Sequence, residues 1–292
     1  MDTTSPLGWD AFLSWASLFY AMPNFDEEER AYKLRAVEPL RRARQALLDG
    51  DNWLPCLSQG FKNKDNNLVT HWQFIPFLDW VTAEPQPARD AMVALWEGSE
   101  RDGPERLERF DALLPHHVLS GPGLRCNLGA YLLGAMEPVA WPNYKVTATQ
   151  RAFELTRTAP CPREASMGVR YQHALTFFDR LLVEAGNVGL LLADRLDAQG
   201  VMWCVVQWSD RPETFTPDQW DALLVFRSTP SSPRRKTSSS RQSAAPSRPR
   251  RPTCPLCGHD DGVRLIGRTQ DSWEWECEET TGHDDPWLFR AS

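Results

Sequence analysis

Apolar residues recur at helical spacing through most of the first 227 residues. In the earliest stretch, Trp9, Phe12, Ala16 and Phe19 are three or four residues apart, which places them on one face of an amphipathic helix. The alternation of apolar and polar residues that is typical of strands does not occur convincingly before residue 250. The pattern therefore predicts an almost entirely helical N-terminal region.

A second helix is predicted directly after the first. Asn24 or Asp26 can cap its N-terminus, because short polar side chains accept hydrogen bonds from the free backbone N–H groups there. Acidic residues occupy 27–29 and arginines occur within 41–44, an order that the helix dipole favours. Gly50 is suited to ending this helix.

Proline and glycine residues divide the rest of this region into further helical segments. These are predicted near 68–82, 87–97, 104–114, 122–136, 147–157, 165–186, 194–208 and 216–226. The expected fold class is therefore mostly α, with an all-α, multi-helix domain over residues 1–227.

The formal net charge of −7 is unevenly distributed along the chain. Residues 228–252 are mainly Ser, Pro and Arg with no large hydrophobic residue, so they cannot bury enough apolar area to offset the entropy of ordering. We expect a disordered linker, with seven basic residues and no acidic one. It is either a solvated tether or a source of non-specific phosphate contacts. The candidate contact residues are Arg234, Arg235, Lys236, Arg248, Arg250 and Arg251.

Residues 253–292 contain a cysteine knuckle followed by two strand-like segments. Apolar residues within 263–266 and 273–275 indicate two short strands, joined by a polar turn at 270–272. The pattern C-x2-C-x19-C-x5-H supplies three thiolates and one imidazole, a closed set that suits tetrahedral Zn²⁺ with Zn–S distances of about 2.3 Å. The sequence thus predicts a small structural β zinc ribbon, with ligands Cys254, Cys257, Cys277 and His283.

Two alternatives to this zinc assignment stay open. His259 could replace His283 as the fourth ligand, although its position only two residues after Cys257 gives it poor reach, and the cysteines could simply be buried or free thiols. Residues 252–292 hold nine acidic residues against three arginines. This charge repels phosphate and disfavours direct DNA binding by the ribbon alone, so docking onto a protein is at least as well favoured.

The bulk composition narrows the class of protein. The chain of 292 residues has a hydrophobic fraction of 41%, which is ample for a sizeable core. No apolar run reaches the roughly 18 residues of a membrane span, and no signal-peptide pattern is recognised. We expect a cytoplasmic protein without a membrane partner, in which seven cysteines favour metal binding over disulfides.

The catalytic groups in the sequence form no recognisable constellation. His116 and His117 are adjacent, so on a helix they would point about 100° apart, a poor geometry for one metal ion. A Cys126–His173 pair is conceivable, but nothing in the sequence supports it. No catalytic residue is therefore assigned, and a non-enzymatic role is favoured without being decided.

Three segments of the helical region carry a family resemblance. They are LSGPG-x-R-x-N over 119–127, EP…WP-x-Y-x-x-T over 137–147, and D-R-L-D-A-Q over 194–199. With them, residues 1–208 resemble the N-terminal helical region of actinobacterial McrB-like AAA+ proteins of the modification-dependent restriction group. Those proteins carry a nucleotide-hydrolysing motor after this region. This chain has no G-x-x-x-x-G-K-[ST] motif, so the motor activity does not transfer.

The resemblance implies a recognition or assembly role in defence against foreign DNA. The expected function is a non-enzymatic recognition or adaptor protein of a restriction-like or anti-phage system, whose protein partner is a separate motor or nuclease subunit. The alternative is a general nucleic-acid-binding or transcription-associated regulator that uses the linker and ribbon. A third class is an enzyme whose site is assembled from distant residues of the helical domain.

The turn that opens the helix near residue 122 is a candidate anion or partner contact. Free backbone N–H groups and an arginine in a first helical turn could hold a phosphate. The alternative is a helix start whose arginine forms an internal ion pair, for example with Glu137 or Asp79. The residues concerned are Ser120, Gly121, Gly123, Arg125 and Asn127.

Overall fold

The computed structural model describes residues 7–98 and 102–230, together with the backbone of three strands nearer the C-terminus. The chain divides into two compact units, Met1–Arg234 and Arg235–Ser292. The described part of the first unit contains a π-helix (Asp26–Ala31) and the α-helices α1 (Trp9–Tyr20), α2 (Tyr32–Asp49), α3 (Leu54–Lys62), α4 (His71–Ala83), α5 (Pro85–Trp96), α6 (Gly103–Leu113), α7 (Pro122–Leu133), α8 (Val146–Thr156), α9 (Met167–Asn187), α10 (Arg195–Gln207) and α11 (Pro217–Ser228).

The prediction of a mostly helical N-terminal region is confirmed. The first predicted helix is α1, and the second consists of the π-helix and α2, which ends at Gly50 in the left-handed conformation with φ 83°. The predicted capping by Asn24 or Asp26 is wrong. The N-cap of the π-helix is Phe25 and makes no side-chain capping bond, while the backbone carbonyl of Asn24 accepts from the N–H of Glu28.

The central helix of this unit is α7. All its residues from Arg125 to Leu133 are buried, and it packs against α2, α4, α6, α8 and α9. Burial on every side explains why α7 lacks a polar face. Close approach to α8 depends on Gly123, because a Cβ there would collide with the side chain of Val146.

Arginine side chains satisfy carbonyl groups at several helix C-termini, where the last turn has no partners within the helix. Arg227 donates to the carbonyl oxygens of Cys204, Val205 and Trp208 at the end of α10, at 2.6 to 2.7 Å. Arg44 donates to the carbonyl oxygen of Trp96 at the end of α5. These contacts join α11 to α10 and α2 to α5.

The described part of the second unit is a three-stranded antiparallel sheet in the order β1 (Val263–Arg268), β2 (Trp273–Cys277), β3 (Trp287–Ala291). On β2, Trp275 pairs with Leu265 on one side and with Phe289 on the other. The strands β1 and β2 lie where the sequence predicts them. The sequence pattern does not predict β3.

Candidate functional site

Arg125, in the first turn of α7, is directed into the domain. Its side chain is 3% exposed, and its Nε lies 2.5 Å from Asp111 Oδ1. The other guanidinium N–H groups donate to the backbone carbonyl oxygens of Asp111, Leu114, Pro115 and Leu119. Since a guanidinium has five N–H donors, none is left for an external anion. The prediction that Arg125 contacts an anion is therefore wrong. Its internal ion pair is formed with Asp111 on α6, and not with Glu137 or Asp79.

Three of the other four candidate residues have structural roles as well. Gly121 is the N-cap of α7, Gly123 packs against α8, and Ser120 is exposed. Asn127 is buried, and its Nδ2 donates to the Leu68 carbonyl oxygen at 3.2 Å and to Gln73 Oε1 at 3.1 Å. Both amide hydrogens of Asn127 are thus used inside the domain, so the prediction that Asn127 contacts an anion is also wrong.

The backbone carbonyl oxygen of Leu68 joins two of the segments that carry the family resemblance. It accepts from Asn127 Nδ2, from Asn143 Nδ2 at 3.4 Å and from Lys145 Nζ at 2.6 Å. Asn143 Nδ2 also donates to Asn127 Oδ1 at 3.1 Å. The loop between α3 and α4 is therefore held by polar groups from the second turn of α7 and from the segment before α8.

A buried ion pair lies at the junction of the π-helix, α2 and α10. Lys33 Nζ is 2.8 Å from Glu29 Oε2, and both side chains are 3% exposed. Lys33 Nζ also donates to Gln199 Oε1 at 2.6 Å, which ties this pair to the D-R-L-D-A-Q segment. Gly200 permits the close packing, since a Cβ there would lie 3.1 Å from Glu29 Cβ. A π-helix is rare and often occurs at functional sites.

A second charged group holds the same helices together. Arg30 forms a bidentate pair with Asp194, at 2.9 and 2.7 Å, and also donates to Asp197 Oδ1 at 2.6 Å. Asp194 caps α10 through the backbone N–H groups of Leu196 and Asp197. Burial alone would raise the pKa of Asp194, but the hydrogen bonds from Arg30 and the backbone lower it overall. This carboxylate therefore stays ionised and fixes the start of α10.

A pocket of about 120 Å³ opens beside the buried ion pair, and we call it the Lys145 pocket. Its volume is sufficient for several water molecules or a small ligand group. Tyr32, Lys145 and Trp203 are half-buried at its wall, whereas Gln199 is buried. Lys145 Nζ donates to the carbonyl oxygens of Asn67 and Leu68. The full lining is Tyr32, Asn67, Leu68, Lys145, Gln199 and Trp203.

The electrostatics of this pocket are perturbed by burial. Desolvation and then the nearby charge of Lys33 lower the pKa of Lys145 to about 8. Desolvation raises the pKa of Glu29, although the nearby charge of Lys33 lowers it in part. Desolvation also raises the pKa of Tyr32, and the charge of Glu29 raises it further. The pocket therefore combines one lysine, two carboxamides and two aromatic rings, groups that can bind and orient a polar ligand.

The residues of the predicted zinc site lie almost wholly outside the described residues. Cys254, Cys257 and His283, with the alternative His259, are not described, and Cys277 is described only as the last backbone position of β2. Its pairing partners there are Val263 and Trp287. The linker candidates from Arg234 to Arg251 also fall outside. Among the described residues, no group of three or more His, Cys, Asp or Glu side chains could hold a metal ion.

The remaining catalytic candidates are not brought together in the described part of the first unit. His116 and His117 are exposed in the turn after α6. His173 Nε2 contacts the carbonyl oxygen of Ala159, whereas the Cys126 thiol donates to the carbonyl oxygen of Met167. Burial raises the pKa of Cys126, so this thiol stays protonated and unreactive at neutral pH.

Sequence reasoning missed the residues that form the Lys145 pocket. Lys145 and Gln199 lie within two of the three resemblance segments, but neither has a neighbouring residue that marks it as part of a site. Tyr32 and Trp203 occur in ordinary helical patterns. The burial of Lys33, Gln199 and part of Lys145 marks these residues in the structure. Because tertiary packing determines that burial, the sequence alone does not reveal it.

Comparisons with known proteins give no further assignment. No family model matches the chain, and no curated protein or solved structure is significantly similar to it. Among the described residues, none of the helices has the length and apolar character needed to cross a membrane.

Proposed function

We propose that this chain is a non-enzymatic recognition or adaptor protein of a restriction-like or anti-phage defence system. It acts in the cytoplasm beside a separate motor or nuclease subunit. One observation supports this role most directly: two of the three resemblance segments line the Lys145 pocket, and the first contacts Leu68 at its wall. Lys145 comes from the second segment, Gln199 from the third, and Asn127 of the first shares the Leu68 carbonyl oxygen with Lys145.

The chemistry of the pocket fits recognition. Its ammonium, carboxamide and aromatic groups bind ligands by hydrogen bonds, charge and stacking. The ion pairs of Lys33 with Glu29 and of Arg30 with Asp194 hold the surrounding helices in place. A binding site supported in this way is preorganised, which lowers the entropic cost of association.

Affinity capture from the native host tests this role. The tagged full-length chain, Lys145→Gln and the control Lys64→Gln, which changes an exposed lysine, would be compared by mass spectrometry of the captured proteins. We expect a motor ATPase or a nuclease with the wild type and with Lys64→Gln, and less of it with Lys145→Gln. Capture without any motor or nuclease would contradict the adaptor role.

We further propose that the C-terminal unit is a zinc ribbon with Cys254, Cys257, Cys277 and His283 as ligands. The support is the C-x2-C knuckle before β1 and the position of Cys277 at the end of β2, on a small sheet with few aliphatic residues. Such small units need a cross-link in addition to their hydrophobic core in order to fold, and a metal ion can provide it. The ribbon is a candidate docking module for the partner protein.

A role in general nucleic-acid binding is the second candidate. The observation in its favour is the acid-free segment 228–251 with its seven basic residues. Such a segment neutralises phosphates without sequence preference, so binding would weaken steeply with salt. A DNA mobility shift that disappears with added salt, and with the six candidate linker cations changed to Gln, would favour this function.

A further inference from the structure

We propose that the Lys145 pocket binds a compact oxyanion, the phosphate or carboxylate group of a small molecule. This inference rests on the proposed recognition role and names the class of ligand that the same pocket accepts. It follows from the charge balance, the free hydrogen-bond donors and the size of the pocket.

The charge balance favours an anion. Lys33 is paired with Glu29, whereas Lys145 has no carboxylate within ion-pair distance among the described residues and contacts only carbonyl oxygens. The three charges thus leave one positive charge that is not neutralised. Holding an unpaired ammonium in a partly desolvated site costs free energy, which a bound anion would offset. A cationic ligand would instead be repelled by the charge of Lys145 that is not neutralised.

The hydrogen-bonding groups of the pocket lead to the same ligand class. An ammonium has three donors, and Lys145 uses two of them within the domain. The carboxamide oxygen of Gln199 accepts a hydrogen bond from Lys33, so the NH₂ group of Gln199 remains available as a donor. The Leu68 carbonyl oxygen already accepts three hydrogen bonds. The remaining N–H groups of Lys145 and Gln199 are donors, as an oxyanion requires.

The size and walls of the pocket limit the ligand to a small group. A volume of about 120 Å³ has room for a phosphate or carboxylate and a short attached chain. Tyr32 and Trp203, both half-buried, offer apolar surfaces to that chain. Because these two rings and Lys145 are all partly exposed, the ligand can enter from solvent without opening the helical core.

Calorimetric titration of the full-length protein tests the inference. The probes are inorganic phosphate and acetate, with chloride at matched ionic strength as the control for screening. We expect Lys145→Met to weaken phosphate or acetate binding about tenfold to a hundredfold, the range for loss of one charge-assisted hydrogen bond. The matched variant Lys64→Met, at an exposed position, should bind as the wild type does. Unchanged binding by Lys145→Met would overturn the proposal, as would binding no stronger than that of chloride.

A pH series on the wild type provides a test that does not depend on the folding of a variant. Acetate remains ionised across the range, so the protonation of Lys145 determines its affinity. With a pKa of about 8 for Lys145, acetate should bind about tenfold more weakly at pH 9 than at pH 7. The other groups near Lys145 do not reverse this trend: Lys33 is paired with Glu29, and burial raises the pKa of both Tyr32 and Cys204. Affinity that stays constant over this range would contradict the inference.

The two proposals can fail separately. If phosphate binds in a Lys145-dependent way but no motor or nuclease is captured, the oxyanion site stands and the adaptor role falls. If a motor or nuclease is captured equally well by Lys145→Gln, and neither probe binds above the chloride control, the adaptor role stands and the oxyanion site falls.

Discussion

Arg125 of α7 and Asp111 of α6 form an ion pair, with 2.5 Å between Nε and Oδ1, that joins the start of one helix to the end of another. The arginine also supplies hydrogen bonds to four carbonyl oxygens at the end of α6 and in the connection to α7. A buried arginine with all its donors engaged stabilises the fold, and its loss would leave several polar groups unpaired.

Arg125→Ala should therefore lower the free energy of unfolding by about 3–5 kcal/mol, because it leaves four carbonyl oxygens and the partly exposed Asp111 carboxylate without their donor. Chemical denaturation followed by circular dichroism measures this change. Arg109→Ala, an exposed arginine on the same α6, is the matched control and should change stability by less than about 0.5 kcal/mol. A stable Arg125→Ala protein that has lost partner binding would instead restore the anion-contact hypothesis.

The buried pair of Lys33 and Glu29 predicts strong non-additivity. Lys33→Met alone leaves Glu29 buried without its partner and should cost about 3–5 kcal/mol. The double variant Glu29→Gln/Lys33→Met removes both charges and should be more stable than Lys33→Met. A double-mutant cycle by urea denaturation measures the coupling.

The exposed pair of Arg35 and Glu27 serves as the control for this cycle. Their side chains are 48% and 65% exposed, and their atoms are 2.8 Å apart, the same separation as in the buried pair. Solvent screening should limit the effect of Arg35→Met to less than about 1 kcal/mol. Equal coupling energies for the two pairs would show that burial does not determine the strength of the Lys33–Glu29 interaction.

Helix α3 shows why local sequence rules miss an element. No helix is predicted from the sequence at 54–62, a segment that contains Pro55 and Gly60. Pro55 lies in the first turn, where its missing N–H costs nothing. Gly60 packs against α2, since a Cβ there would collide with Leu40, and its carbonyl oxygen accepts from the Tyr131 hydroxyl at 2.7 Å. Tertiary contacts that local patterns do not contain thus explain this glycine.

The helices with clear periodicity and end signals were predictable, whereas the pocket was not. The contact between Lys33 and Gln199 joins residues separated by 166 positions, and nothing local in the sequence specifies it. Likewise, the sequence suggests an ion pair for Arg125, but only the packing of α6 on α7 selects Asp111 as the partner. Strand β3 was missed because Trp287–Ala291 shows no clear alternation and depends on its pairing with β2.

The zinc assignment predicts about one zinc ion per chain by elemental analysis, since one tetrahedral set of four ligands is present. Cys254→Ser/Cys277→Ser should lose the metal and unfold the C-terminal unit, because metal binding and folding of such units are linked. The helical signal should remain. His283→Ala and His259→Ala, compared in parallel, identify the fourth ligand. Full zinc occupancy in the double cysteine variant would rule out the proposed site.

The lowered pKa of Lys145 predicts how stability changes with pH. In the folded state this pKa is about 8, against an ordinary value of 10.5, so the folded protein binds fewer protons than the unfolded chain between these two values. Stability must then rise with pH through this window, and the penalty for the buried charge is fully present below pH 8. The size of this contribution is about 3 kcal/mol, from the difference between the two pKa values.

Lys145→Met removes the titrating group, so its free energy of unfolding should rise less than that of the wild type between pH 8 and 10.5. Urea denaturation of both proteins across this range, with Lys64→Met as the control that should follow the wild type, measures the difference. The buried tyrosines are common to all three proteins, so their own titration cancels in the comparison. If the curves for Lys145→Met and the wild type are parallel, Lys145 titrates as an ordinary surface lysine and the electrostatic argument for the pocket fails.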